Sequence, residues 1–264
     1  MGVRASEILA SMMGARPSLC PMASACFELG NGVMMGGYGV DDVLFEFLDR
    51  SPDPSAEAVI VLSRHESSSG RKSLTVHFTG NPTDDARFGG RPRELSYAPA
   101  NLGMALLTSY LREAEAQGIS HEYEVTLEAT HHGPSGNRMP LVFIEIGSTQ
   151  AEWSDRRALE AMASAIELSI GRPEPSCTPA IGFGSTHYPK PFTAIELRGE
   201  ACFGHIISKH AIGSLSDDVI SQAVRKTLPG GAKVAYVERS SVKSAVRAAL
   251  TRTLSSLGVE VREI

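Results

Sequence analysis

The stretch with the most chemistry in it is Glu128-Ala129-Thr130-His131-His132-Gly133-Pro134. It follows the alternating run Glu122–Leu127, which reads as a β-strand, and it stops in a Gly-Pro turn. Adjacent histidines inside a strand point to opposite faces, whereas in a turn just beyond it both can face one pocket. Near neutral pH an imidazole serves as general base, general acid or metal ligand. Other polar residues follow other strand-like runs. His65 follows Ala58–Leu62, Asn81 follows Leu74–Thr79, Gly147-Ser148 follows Leu141–Ile146, and His187 follows Ala180–Gly184. Open α/β sheets bind ligands beyond the carboxyl ends of their strands, so these groups are expected to meet in one crevice. Glu145 interrupts an apolar strand, where a carboxylate is costly without a protonated His, an Arg or a metal beside it. His77, within a strand, reads as core packing, and His121 and His210 read as surface residues.

Absent motifs narrow the chemistry. There is no His-x-His or His-x-x-x-His pair, so a metal site would have to be assembled from distant segments. A Gly-x-Ser-x-Gly elbow, a phosphate-binding loop ending in Lys-Ser/Thr and a dinucleotide fingerprint are all missing, which argues against serine hydrolases, NTPases and nicotinamide oxidoreductases. Water attacking an ester or related carbonyl fits the inventory, with His as base and a backbone N–H or His as oxyanion donor. Thr149-Gln150-Ala151-Glu152 reads as a capping box opening the helix that carries Trp153, Leu159, Met162, Ile166 and Ile170. A strand, a Gly147-Ser148 turn and that helix N-terminus would together form an anion or oxyanion site.

The elements that must hold these groups alternate between strand and helix. A helix is expected from Pro99 to Gln117, with Gly118 as its stop, and another after the Ser216 cap. Lys233–Val237 reads as a strand, Val242–Leu257 as a final helix and Val259–Ile264 as a short strand. Thr193–Leu197 and Phe203–Ile207 read as further strands, and Val43–Leu48 as a strand or short helix. Ser67–Gly70, Asp84–Arg93 and Pro173–Pro179 read as loops or connectors. The pattern predicts a three-layer α/β/α fold around a mixed, mostly parallel sheet. Residues 1–55 are poorly legible and are assigned to the same domain as 56–264.

The chain has 264 residues, 42% of them hydrophobic and 21% charged, with a net charge of −5. That composition is ordinary for a globular protein, and its charge excludes a global field drawing it to nucleic acid. Contact with RNA would come from local patches, for which Arg87, Arg91 and Arg93 in the Gly/Arg loop are the candidates. No apolar run reaches membrane-spanning length and the N-terminus makes a poor signal peptide, so a cytoplasmic enzyme is expected. Cys20, Cys26, Cys177 and Cys202 form no Cys-x-x-Cys pair and read as buried free thiols.

Several motifs, in order, resemble the archaeal and plant type of D-aminoacyl-tRNA deacylase. They are Ser63-Arg64-His65, Leu74–Asn81, Glu128–Pro134, Phe143–Ser148 with Trp153, Gly182–Pro189, and Gly204-His205-Ile206-Ile207 with Lys209 and Ala211. Together they span roughly residues 57 to 215. The chain departs from the family pattern at Gly184-Ser185, where the pattern has Gly-Gly, and at Tyr188-Pro189-Lys190, where it has Tyr-Ala-Pro. The resemblance implies hydrolysis of the ester between a D-amino acid and the tRNA 3′ end, in translation quality control. It also implies a fold similar to the phosphorylase/peptidyl-tRNA hydrolase type and dependence on zinc, two ions per chain. On this reading His131, His132, Glu145 and His187 form the catalytic or metal-binding centre. His65, Asn81, Gly133, Gly147, Ser148, His205, Arg87 and Arg91 line the substrate site. The partner is D-aminoacyl-tRNA, with no DNA and no membrane, and the chain is expected to be a monomer. The alternatives are a peptidyl-tRNA hydrolase-like esterase, a non-catalytic tRNA-binding protein and a nucleoside phosphorylase.

Overall fold

The computed structural model describes residues 1–30, 32–67, 70–170 and 176–264. The Ser/Gly loop 67–70 and the connector 173–179 therefore lie partly outside the described residues. In chain order the described elements begin with helix α1 (Gly2–Met12) and strands β1 (Ala25–Gly30), β2 (Val33–Gly37), β3 (Val59–Glu66) and β4 (Ser73–His77). Helix α2 (Ala100–Ala116), β5 (Glu124–Leu127), β6 (Leu141–Ser148), α3 (Arg156–Ser169) and β7 (Pro179–Phe183) follow. Next come α4 (Lys190–Leu197), β8 (Cys202–Ile207), α5 (Lys209–Ile212), α6 (Asp217–Lys226), β9 (Val234–Val237), α7 (Ser244–Ser256) and β10 (Glu260–Glu263).

The result is a mixed α/β protein with several sheets. The first main sheet has the order β3-β6-β4-β5, with β6 parallel to β3, β4 antiparallel to β6, and β5 parallel to β4. The second, β8-β7-β9-β10, is parallel throughout. The two meet where the chain leaves β5. There the Ala129 N–H donates to the His187 carbonyl and the Thr130 N–H to the Ile206 carbonyl, each at 2.8 Å.

Strand alternation decides what each face carries. On the first sheet Val142, Ile144 and Ile146 of β6, with Leu74 and Val76 of β4, bury against α1, α2 and α3. The opposite face holds Val61, Leu141 and Phe143 under Leu48, Phe45 and Phe47, and beyond them it turns polar. On the second sheet Ala180, Phe203, Val234 and Tyr236 join the core shared with α2, while Ile181, Phe183, Ala235 and Val237 bury against α6 and α7. That sheet is apolar on both faces.

Local sequence explains most boundaries. Ser216 caps α6, its hydroxyl accepting from the Val219 N–H at 3.4 Å. Glu152 reaches back to the Thr149 N–H at 3.0 Å as in a capping box. The turn it opens is a short 3-10 segment, Glu152–Ser154, and α3 starts later, with the Asp155 carboxylate accepting from the Arg157 N–H at 2.9 Å. Three expectations are corrected. Thr193–Leu197 belongs to helix α4, not a strand: Pro191 sits at the first turn, and Phe192, Ile195 and Glu196 bury one helical face. Val43–Leu48 is not a strand: Val43 and Leu44 belong to a 3-10 turn, Asp42–Leu44, and Leu48 opens a second, Leu48–Arg50. The cysteines pair as Cys20–Cys26 and Cys177–Cys202, with Cα separations of 5.6 and 5.8 Å, well inside disulfide range. No described helix is long and apolar enough to cross a membrane.

Candidate active site on the polar face of the first sheet

Register brings the polar side chains together. Glu145 on β6 stands opposite Ser63 of β3 and Thr75 of β4, and Phe143 stands opposite His77. Because side chains alternate, Ser63 and His65, Thr75 and His77, and Thr126 share the face of Glu145, the one that α2 and α3 leave uncovered. Glu128, two residues beyond Thr126, continues that row. The polar groups therefore form a stripe across four strands. His65 is inside a strand, not after its end, and His77 lies in its strand as expected.

Glu128 is the hub. Its carboxylate is fully buried and within contact distance of three imidazoles: His65 Nδ1 at 3.1 Å, His187 Nε2 at 2.9 Å and His131 Nε2 at 3.6 Å. Glu145 lies beside it, 3.4 Å from His65 Nδ1 and 3.3 Å from His77 Nε2. Burial favours neutral carboxyls, yet the imidazoles win and hold both glutamates below their ordinary range. For His65 burial likewise opposes the charge, but the adjacent Glu128 and Glu145 carboxylates push it up to about 10, and His77 is raised by the same balance. Burial and the crowding of like rings act the other way on His131, which is lowered, and on His132, which is lowered to about 4.

The adjacent histidines reach one pocket because the backbone bends between them. His132 adopts φ +44°, in the left-handed region that few side chains other than Gly and Asn occupy. Its ring then sits 4.3 Å from that of His131 and 5.0 Å from that of His77. Both turn histidines have a fixed tautomer. His131 Nδ1 bonds the Ala129 carbonyl at 2.8 Å and His132 Nδ1 the Gly133 carbonyl at 2.6 Å. A carbonyl only accepts, so each Nδ1 carries the proton and each Nε2 presents a lone pair. The segment 1–55 braces the turn: the Glu46 carboxylate accepts from the Ser135 and Gly136 N–H groups, and Asp49 from Arg138 and Met139. Asp42, from the same segment, lies near Ser63 and Glu145 and is raised to about 6, by burial and then by the nearby charge of Glu145.

The donor set suits metal ions. His77, His131 and His132 offer ring nitrogens that all lie within 4.8 Å of one another, and His65, Glu128 and His187 form a second such group. Several of these buried atoms lack a hydrogen bond of proper geometry: both Glu128 oxygens, both His77 nitrogens and His187 Nε2. They crowd around common points instead of pairing in line, an arrangement a divalent cation satisfies and a hydrogen-bond network does not.

Other sequence candidates sit elsewhere. Gly147 and Ser148 continue β6 instead of forming a turn before a helix, and the Ser148 hydroxyl donates to the Arg71 carbonyl. Gly147 is needed for close approach, since a Cβ there would come within 2.6 Å of Ser73 Oγ and 3.0 Å of His65. Asn81 uses its amide to bind the Gly89 and Arg91 carbonyls. His205 is buried outside the cluster, with its ring nitrogens engaged by Thr130 Oγ1 and the Ser96 carbonyl. Gly133 packs against Gly89 and Gly90, and Arg87 and Arg91 are exposed, facing Asp85 and Glu94. Sequence reasoning read His77 as core packing and gave no role to Glu128, Asp42 or Tyr188, whose hydroxyl bonds His65 Nε2 at 2.8 Å. For Glu128 and His77 the signal was parity, since each continues the polar side of its own strand.

Comparison with known proteins identifies the family. A sequence profile of the D-aminoacyl-tRNA deacylase family matches residues 52–262, which include every cluster residue. A D-aminoacyl-tRNA deacylase from Aeropyrum pernix is 43% identical, covering 100% of this chain and 95% of its own length. Those of Hyperthermus butylicus and Staphylothermus marinus are 41% and 37% identical, over 86% and 94% of this chain and 84% and 90% of theirs. The crystal structure of a conserved protein of unknown function superposes with a TM-score of 0.91 at 28% identity, covering 99% of this chain and 90% of that one. With the full-length match and the family profile lying over the buried Glu–His cluster, the chain belongs to the D-aminoacyl-tRNA deacylase family.

Proposed function

We propose that this protein hydrolyses the ester joining a D-amino acid to the 3′ end of tRNA, releasing the amino acid and reusable tRNA. The observation that carries the reading is the buried Glu128 carboxylate ringed by His65, His131 and His187 within a family whose named members are deacylases. The reaction adds the oxygen of water to the ester carbonyl carbon, breaks the bond to the ribose oxygen and leaves a proton on that oxygen. His131, His132 and His187 are the partly exposed imidazoles, so the ester meets the cluster on their side, while Glu128, Glu145 and His77 form a floor closed to solvent. The Ala129 and Gly133 carbonyls hold the two turn imidazoles with Nε2 lone pairs available, so no ring has to flip during turnover.

Zinc is part of the proposal, with His77, His131 and His132 holding one ion and His65, Glu128 and His187 the other. Glu145 touches a member of each group. Ions bound there would polarise the carbonyl and acidify a water molecule. We further propose a cytoplasmic monomer whose joined sheets form the middle of a three-layer sandwich like that of peptidyl-tRNA hydrolase. Cores on both faces of the second sheet support that reading. Single-turnover deacylation of a D-aminoacyl-tRNA tests the assignment. His131→Ala and His187→Ala should each lose most of the rate, and wild-type rates in both would sink it. Metal analysis of the same samples should find zinc in the wild type and less in the variants.

A further inference from the structure

The loop that carries Arg87 and Arg91 is more rigid than its composition suggests. The Phe88 carbonyl accepts from the Gly133 N–H at 2.9 Å, one residue from His132. Asn81 holds the Gly89 and Arg91 carbonyls at 2.9 and 3.2 Å, and the Arg91 N–H donates to Ser135 Oγ at 2.8 Å. Gly89 and Gly90 have φ of +77° and +73°, and a Cβ on Gly89 would lie 2.2 Å from the Val43 carbonyl oxygen. The only large apolar side chain on this braced loop, Phe88, is 67% exposed. The Arg87 guanidinium, ion-paired to Asp85 at 2.6 Å, lies 5.9 Å from the centre of its ring. A loop this constrained could have turned the ring inward, and instead it presents an aromatic face and a cation to solvent beside the His131-His132 turn.

We propose that Phe88 is the stacking platform for the terminal nucleobase of the RNA substrate, with Arg87 facing the adjoining phosphate. This rests on the tRNA reading above. An ester seated on the imidazoles leaves the nucleoside that bears it just outside the cluster, and Phe88 is tied to that edge through Gly133. Unpaired RNA ends are commonly recognised by stacking of a splayed base on an exposed aromatic ring, with Arg neutralising the backbone. Because the platform is held before the RNA arrives, little ordering is needed on binding.

The test is a binding cycle that requires no catalysis. Affinities are measured at one fixed salt concentration for an uncharged acceptor-stem RNA ending in CCA and for the same RNA lacking its terminal adenosine. Wild type, Phe88→Ala and Phe88→Trp are compared. Phe88→Ala should weaken binding of the full RNA about tenfold, the size of one base–aromatic stack. It should leave the shortened RNA unaffected, and Phe88→Trp should keep the wild-type preference. Equal weakening of both RNAs, or of neither, overturns the proposal. So does unchanged RNA affinity combined with slower release of a bulky D-amino acid only, which would make Phe88 a side-chain pocket. Intact esters with wild-type protein would instead count against the deacylase reading, while the binding cycle would still decide the role of Phe88.

Discussion

The two main sheets are built alike but used differently. Both are mostly parallel, and α2 packs on both. The second is covered on each face by apolar side chains, and its one histidine, His205, is buried with its ring nitrogens bonded to Thr130 and Ser96. The first is covered by α1, α2 and α3 on one face and carries Glu145, with Glu128 just beyond it, and several histidines on the other. Its buried His77 has no hydrogen bond of proper geometry at either nitrogen. A buried histidine whose bonding is complete braces the fold. One left with available nitrogens among carboxylates is suited to bind something else. His132 and His205 are each lowered to about 4, so their proton affinity does not distinguish the two roles; their neighbours do.

Substitutions in the two sheets should therefore fail in different ways. The largest effect belongs to Glu128→Gln, which keeps the shape but removes the charge that gathers three imidazoles. Deacylation should slow on the order of 10³-fold, with far-ultraviolet circular dichroism unchanged. A variant within threefold of wild type would break the contrast. His205→Phe should do the reverse. Leaving the Ser96 carbonyl and Thr130 hydroxyl without their partner costs roughly 2 kcal/mol or more of stability, read as a lower melting temperature, while the single-turnover rate well below that temperature changes little. If the rate collapses in a folded protein, His205 belongs to the chemistry after all.

The smallest effect sharpens the comparison through pH. Glu196 on α4 is fully buried behind the second sheet. One oxygen accepts from the Phe203 N–H and the other has no partner, and burial pushes the carboxyl up to about 8 despite that bond. The folded state thus holds a proton that the unfolded chain releases near the ordinary carboxyl value of about 4.3. Between that value and about 8 the folded protein binds more protons, so stability falls as pH rises and levels off above about 8. Glu196→Gln cannot ionise, so its melting temperature relative to wild type should climb from pH 5 to pH 9. A constant difference across that range would show that Glu196 does not titrate as its surroundings imply.

Much of this was legible in the sequence because it depends on local pattern. Strand runs such as Leu141–Ile146 lie within observed strands, and the Ser216 cap and the α2 limits fall within a residue or two. The His-His turn and the buried Glu145 identify themselves by being improbable in a core. Thr193–Leu197 misled because a short apolar run with β-branched residues looks the same in a buried helix and a strand. The cysteines misled because spacing does not reveal which thiols approach within about 6 Å.

The sequence by itself determined the residue types, the order of elements and, through its motifs, the family. Tertiary structure decided which groups share a site. Register across β3, β6, β4 and β5 put His65, Glu145 and His77 on one face, and the left-handed turn at His132 kept both adjacent rings in it. The bracing of that turn by Glu46 and Asp49 joins residues about ninety positions apart, in a segment whose own pattern says little. Periodicity records which side of its own strand a residue takes. Which strands lie side by side, and which loop closes over them, is set by pairing and packing between distant parts of the chain, and no local spacing encodes it.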